Sequence, residues 1–254
     1  MKIGIIGTGP IGASLAKKLS RIGHEIKITN RSAGQELAET ARKLGVEYTN
    51  LKDLVKEVDV VIVSIPTNSI PALPKDLFEG VPDEVIVVDT SNHYPTRDGI
   101  MPVFDTKLES VWVSEQLGRP VVKAFNNLLA YSLEYAGKPS RENDRVAMAI
   151  SGDDGNAKEI ISKLIDDVGF DVVDNGSLSE SWRHQPGMPA YCTELNAEDL
   201  KLALEDRDKM KEKSADLRDR SMEVFMGLTE VPTHEYILNT LRSLFPTNPN
   251  KQKV

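Results

Sequence analysis

The residues with the clearest chemical meaning are Gly7, Thr8, Gly9, Pro10, Ile11 and Gly12, which spell a GxGxxG string. In such a string the first glycine permits a tight turn, the second lets the backbone approach a pyrophosphate, and the third lets a helix pack closely on a strand. The start of the following helix adds amides and positive potential suited to an anion. A glycine-rich turn can also end a strand for steric reasons alone, so its flanks decide its meaning. Roughly twenty residues further on, an NAD-preferring site carries Asp or Glu against the ribose 2′-hydroxyl. This chain instead has Thr29, Asn30, Arg31 and Ser32. Arg31 can meet a 2′-phosphate with a planar, permanently charged fork, and Asn30 and Ser32 can add neutral hydrogen bonds. NADP, in its reduced form NADPH, is the expected cofactor; the alternative is that Arg31 only solvates a surface turn.

Hydride transfer to or from such a cofactor needs mainly proximity and orientation where the acceptor itself carries the redox chemistry, so few protein acids or bases are then required. The sequence offers no nucleophile with a base, no triad and no metal cluster. Ser14 and Lys17 have S-x-x-K spacing but lie on the helix opened by the glycine turn. A carbonyl or imine acceptor would need a proton near the developing charge, and His93, Lys123, His184 and Tyr191 are the available types. His93 follows an apolar strand and could reach the nicotinamide edge, or it could be a solvated loop residue. Lys123 lies within an apolar strand, where a buried charge must find a partner. Asn126, just past that strand, is a candidate cofactor or substrate contact. Trp182, Arg183 and His184 offer a ring face, a cation and a titratable group in one loop; alternatively Trp182 plugs the core while Arg183 reaches outward. None of these is assigned as a catalytic acid.

The elements that must position these groups follow an α/β rhythm. Strands are expected at Lys2–Ile6, Glu25–Thr29, Asp59–Ile65, Glu84–Asp89, Val121–Phe125, Arg145–Ile150 and Phe170–Val173. Helices are expected at Pro10–Ser20, where Ile11, Leu15, Leu19 and Ile22 share a face, at Gln35–Leu44, and along the stripe from Ala157 to Val168. The glycine turn therefore sits directly between a strand and an amphipathic helix. Ligands in open α/β sheets lie beyond the carboxyl ends of the strands, so Ile65, Pro66 and Thr67 should line the cofactor path. The pattern predicts one extended, doubly wound parallel sheet of Rossmann type through about residue 174, forming an NADP-binding domain over residues 1–174. Residues 175–254 are expected to form a loop and a helical C-terminal extension that adds to the substrate pocket.

That extension opens with a Gly-, Pro- and Ser-rich loop and continues as a charged helix from Ala197 to about Met226, with Ala203, Met210, Leu217 and Val224 at seven-residue spacing. A last helix is expected over Thr233–Leu244, capped by Thr233, and the tail from Thr247 should fray. The narrow seam suits packing on the parent domain or a homodimer.

The 254 residues include 31 basic and 39 acidic side chains, a net charge of −8 that argues against a broad nucleic-acid footprint. No apolar stretch approaches the 18 or more residues of a bilayer span, and no secretory signal is evident, so no membrane contact and a cytoplasmic location are expected. Cys192 is the sole cysteine, which leaves no intrachain disulfide.

With these residues in view, the chain resembles the coenzyme F-420-dependent NADP oxidoreductases and their bacterial dinucleotide-binding relatives. The resemblance runs through the glycine turn, Asn30-Arg31-Ser32, Ser64-Ile65-Pro66, Val121-Val122-Lys123-Ala124-Phe125-Asn126, Gly152-Asp153-Asp154 and Asp174-Asn175-Gly176-Ser177-Leu178. The cytosolic domain of six-transmembrane ferric reductases is similar in two of these segments. The family implies hydride transfer between NADPH and a flavin or deazaflavin such as coenzyme F-420. From Ser181 to Thr193 the chain departs from the deazaflavin reductases and follows the bacterial relatives, which puts that acceptor in question. Two alternatives stay open: a binding protein that senses NADPH without turnover, and a carbonyl or imine reductase.

Overall fold

The computed structural model describes residues 1–31, 34–205, 211 and 213–244. Strand β1 (Lys2–Ile6) leads into helix α1 (Pro10–Arg21), followed by β2 (Glu25–Thr29), α2 (Gln35–Leu44), the short β3 (Glu47–Tyr48), α3 (Leu51–Leu54) and β4 (Val60–Val63). Then come β5 (Ile86–Asp89), α4 (Pro95–Asp98), α5 (Glu109–Leu117), β6 (Val121–Lys123) and α6 (Ala130–Tyr135). The remainder comprises β7 (Ala147–Ile150), α7 (Gly155–Asp167), β8 (Asp171–Asp174), α8 (Ala197–Leu204), α9 (Ser214–Met226) and α10 (His234–Leu244).

Six parallel strands form one sheet in the order β3-β2-β1-β4-β5-β6. This is the doubly wound order, and the direction in which successive strands are added reverses between β1 and β4, where ligand crevices form. Alternation along the central strands explains why they are apolar throughout. Ile3, Ile5, Val60 and Ile62 pack with Leu15 and Leu19 of α1 on one face, whereas Ile6, Val61 and Val63 pack with Leu54 and Val113 on the other. Both faces are covered, so neither can be polar.

The expected single sheet through residue 174 divides. β7 and β8 form a separate parallel pair, joined to β6 only by an antiparallel bridge between Lys123 and Ser151. Phe125 gives the reason: its φ of 59° turns the chain off the sheet edge two residues after β6 ends. The bridge is nonetheless complete, since Lys123 N–H donates to Ser151 O at 2.8 Å and Ser151 N–H to Lys123 O at 3.0 Å. Ala147 and Ala149 on the far face of β7 pack against Leu200, Ala203 and Leu204 of α8.

The C-terminal extension is helical, but the expected helix over residues 197–226 is not continuous. Glu205 is extended (ψ 143°), which ends α8, and the Leu204 carbonyl accepts from Arg183 Nη1 at 2.9 Å. Met210 of the seven-residue seam, Ser32 of the candidate phosphate site and the tail from Thr247 lie outside the described residues. α10 begins as expected, with Tyr236 N–H donating to Thr233 Oγ1 at 3.2 Å. Among the described residues no helix is long and apolar enough to cross a membrane.

Lys123 meets the requirement set by its apolar strand. It is fully buried and donates to Asp89 Oδ2 at 3.0 Å and to the Ser91 carbonyl. Asp89 also accepts from Ser110 Oγ at 2.9 Å and from Ser91 N–H at 2.8 Å. Removing one partner of such a pair strands the other charge. Asp89→Asn is expected to lower the unfolding free energy by about 3–5 kcal/mol, measured by urea denaturation; a loss below about 1 kcal/mol would show the pair to be dispensable.

Candidate functional site

The glycine turn is built by contact. Gly7 has φ 106°, and a Cβ there would lie 2.2 Å from the Ser64 carbonyl oxygen at the end of β4. A Cβ on Gly12 would lie 2.2 Å from the Gly7 carbonyl oxygen, so α1 can sit on the turn only without a side chain. Gly9 differs, because a Cβ there would meet nothing within 4 Å. It is the N-cap of α1, which has no side-chain cap and no acidic residue in its first turn. Amide donors and positive potential thus face an open approach, as a pyrophosphate needs.

Two clefts flank this turn. One, of about 540 Å³, has Ile6, Asn30, Arg31, Leu51, Ile65 and Pro66 in its wall. Asn30 Nδ2 donates to Thr8 Oγ1 at 2.6 Å, while its buried Oδ1 has no partner within the protein. That acceptor beside the exposed Arg31 suits a ribose hydroxyl next to a phosphate. The second cleft, of about 400 Å³, includes Gly9, Ile65, Pro66, Tyr94, Asn126 and Tyr191. Ile65 and Pro66 belong to both walls, so the two clefts meet beyond the strand ends on either side of the glycine turn. Thr67 is buried and lines neither cleft; Asn68 and Ser69, which follow it, line the first.

The second cleft is backed by a hydrogen-bond chain whose polarity can be read from fixed carbonyls. Asn126 Nδ2 donates to the His184 carbonyl at 2.8 Å, so Asn126 Oδ1 must be the acceptor for His184 Nδ1 at 2.8 Å. His184 Nε2 then accepts from Ser151 Oγ at 2.9 Å, and Ser151 accepts from Asn175 Nδ2 at 3.0 Å. Asn92 Nδ2 donates to the Asn126 carbonyl at 3.0 Å, which turns Asn92 Oδ1 toward Asn126 Nδ2, also at 3.0 Å. The chain ends in the cleft, where Asn92 Nδ2 lies 3.4 Å from the Tyr191 hydroxyl and that hydroxyl lies 2.5 Å from the Tyr94 hydroxyl. Burial, and secondarily the Lys123 charge, hold the His184 imidazole down at about 3, so it serves as a neutral linker. Burial raises both phenols above their usual range and pushes the Cys192 thiol up to about 12.

Two non-glycine residues in the left-handed region flank this wall: Phe125 (φ 59°) precedes Asn126, and Cys192 (φ 54°) follows Tyr191. Such backbone costs on the order of 1–3 kcal/mol and persists where surrounding packing dictates it. Phe125 and Cys192 are both buried.

Asn126 lines the second cleft, and His184 supports it from behind. His93 lines neither cleft. It is 3% exposed, its Nε2 lies 3.0 Å from the Gly99 carbonyl, and its ring packs 4.9 Å from Phe104. Its amide donates to Glu109 Oε2 at 3.0 Å, and burial raises the Glu109 carboxyl to about 7. Trp182 takes the core-plugging alternative: it is buried, with the Arg183 and Lys211 cations each 4.9 Å from its ring centre. Arg183 also donates to Glu180 Oε2 at 2.6 Å, and neither Trp182 nor Arg183 lines the cleft. Sequence reasoning missed Asn92, Tyr94 and Arg97. Only the position of Tyr94 shortly after a strand end signalled it, because its partner lies 97 residues away.

The motif residues Asp153, Asp154 and Asp174 have structural duties. Asp154 caps α7 by accepting from Asn156 and Ala157 amides, Asp153 accepts from Leu178 N–H at 3.0 Å, and Asp174 pairs with Lys158 at 2.8 Å.

A profile of the family described as "NADP oxidoreductase coenzyme F420-dependent" matches residues 2–93. The protein YjhV of Escherichia coli (strain K12) is 35% identical over 127 residues, covering 50% of this chain and 83% of that protein. The F420-dependent NADP reductase of Methanocaldococcus jannaschii is 28% identical over 198 residues, covering 71% of this chain and 86% of the relative. Among solved structures, the hypothetical protein SMa0349 of Sinorhizobium meliloti superposes with a TM-score of 0.65 at 31% identity, covering 77% of this chain and 95% of that one.

The depressed His184 value links the site to stability. Folding excludes a proton that the unfolded imidazole binds below its ordinary 6.5, so His184 stabilises above that pH and the contribution is lost as pH falls toward 3. Glu109, raised to about 7, acts in the opposite direction, so the comparison must be with a variant at each pH. The stability gap between wild type and His184→Gln should shrink by up to about 1.4 kcal/mol per pH unit between pH 6 and 4. A gap independent of pH, in urea melts, would contradict the neutral-linker role.

Proposed function

The chain belongs to the coenzyme F-420-dependent NADP oxidoreductase family, a family of NAD(P)-dependent oxidoreductases of Rossmann fold, and we propose that it is an NADPH-dependent reductase acting on a small organic acceptor. The observation that carries this reading is the pair of clefts meeting at Ile65 and Pro66, with Arg31 in one and the Tyr94–Tyr191 pair in the other. The residues fit the cofactor. Gly9 and the first turn of α1 would take the pyrophosphate, Arg31 the 2′-phosphate, and Asn30 Oδ1 a ribose hydroxyl. Bound in this way, the reduced nicotinamide would supply hydride in the second cleft.

The chain's own part there is to orient and to exclude water. Ile65, Pro66, Leu128 and Leu129 provide apolar wall, while Asn126 and Asn92 present fixed amides that cannot rotate without breaking bonds to backbone carbonyls. Arg97 is held by Asp98 through two bonds of 2.8 Å and donates to the Asn92 carbonyl at 2.6 Å, so it braces the loop. The name of the Methanocaldococcus relative makes a deazaflavin one acceptor to try, beside flavins and small carbonyl compounds.

The assignment of NADP over NAD rests on Arg31. Calorimetry should show tighter binding of NADPH than of NADH, and Arg31→Ala should weaken NADPH about 10- to 100-fold while leaving NADH nearly unchanged. Equal affinities in the wild type would refute the phosphate contact.

A further inference from the structure

Resting on that reading of the dinucleotide site, we infer that Tyr191, coupled to Tyr94, is the proton donor to the acceptor, and that the acceptor is a small aldehyde, ketone or imine. The inference begins with a count of protons. The two phenols carry two hydroxyl hydrogens, and their mutual 2.5 Å hydrogen bond uses one. The other faces a cleft that contains Gly9, Ile65 and Pro66 as well as both tyrosines.

The surrounding chain selects Tyr191 as the donor. The amide of Asn92 is oriented by the Asn126 carbonyl, so its nitrogen can only donate, and it lies 3.4 Å from the Tyr191 oxygen. In the arrangement in which Tyr94 donates, Tyr191 accepts from both Asn92 and Tyr94 and keeps its own hydrogen. The same two donors would steady its oxygen after the proton has left. The Cys192 sulfur beside it takes that hydrogen only as a weak acceptor, which a carbonyl oxygen or imine nitrogen entering the cleft displaces. The Arg97 guanidinium lies 5.4 Å from the centre of the Tyr94 ring and favours negative charge on the pair. Asn175, Ser151, His184 and Asn126 are positioning residues, for they act on the tyrosines only through Asn92.

The balance is that of a two-electron reduction. The carbonyl carbon takes hydride and forms a new C–H bond, the C=O π pair moves to oxygen, and that oxygen takes the Tyr191 proton to give an alcohol; NADPH is oxidised to NADP⁺. An imine gives an amine by the same steps at nitrogen. Tyr191 regains its proton from water at the cleft mouth, directly or through Tyr94.

The test uses the full chain with NADPH, a panel of small aldehydes, ketones and cyclic imines, and FMN as a flavin acceptor, with calorimetry of NADPH binding alongside. The wild type should reduce at least one carbonyl or imine. Tyr191→Phe should lower kcat about 100-fold or more with the NADPH Kd unchanged, and Tyr94→Phe should lower it about tenfold. Both variants keep the ring, and thermal melts check their folding; should Tyr191→Phe not fold, the loss in Tyr94→Phe decides. Turnover with FMN alone, no turnover at all despite tight NADPH binding, or full kcat in both variants would overturn the donor role while leaving the cofactor site standing. Absence of NADPH binding would overturn both.

Discussion

The buried pair of Asp89 and Lys123 joins the ends of two adjacent strands, and the loops leaving those ends form the wall of the second cleft. Asp89 holds the Ser91 amide and Lys123 holds the Ser91 carbonyl, so the backbone just ahead of Asn92 and Tyr94 is gripped from both sides. Lys123 also pairs through its backbone with Ser151, which supports His184, and it stands three residues before Asn126. A hydrophobic pair would fill the same space at less desolvation cost. It could not hold backbone polar groups, and that is the service an ion pair with spare hydrogen-bonding capacity provides here.

Direction is what the rest of the wall adds. Each amide in the chain from Asn175 to Asn92 is oriented by a backbone carbonyl, and each remaining link follows from that orientation. A neutral His184 is required, because a doubly protonated ring would present a donor to Ser151 and reverse one link. Burial secures neutrality. The lining of the second cleft is thereby polar without carrying mobile charge, apart from Arg97, whose charge Asp98 offsets.

The framework was legible in the sequence because its signals are local. β1, β2 and α2 fall on the expected residues, since period and punctuation suffice where strands are apolar and helices amphipathic. The glycine turn was equally legible, its meaning being set by the strand and helix beside it. What could not be read is whatever depends on contacts between distant segments. Tyr94 and Tyr191 become a pair only through the fold, and no spacing rule links them. His93 follows a strand, as a site residue should, yet its ring turns to Gly99 and Phe104 because Arg97, Asp98 and Glu109 shape the loop around it. The division of the sheet after β6 rests on one left-handed phenylalanine, a residue type with no such preference of its own. The seam over residues 203–224 suggested an unbroken helix because its periodicity continues past Leu204, where tertiary contacts from Arg183 end it.

Ile65 and Pro66, common to both clefts, form a saddle between them. Proline has one soft backbone angle fewer than other residues, and a β-branched isoleucine has few rotamers, so the saddle loses little freedom when it is covered. A long ligand lying across it meets a ridge already in its final shape. Contact energy gained in one cleft is then not dissipated in ordering the threshold to the other, and is available to press the far end of such a ligand against its wall.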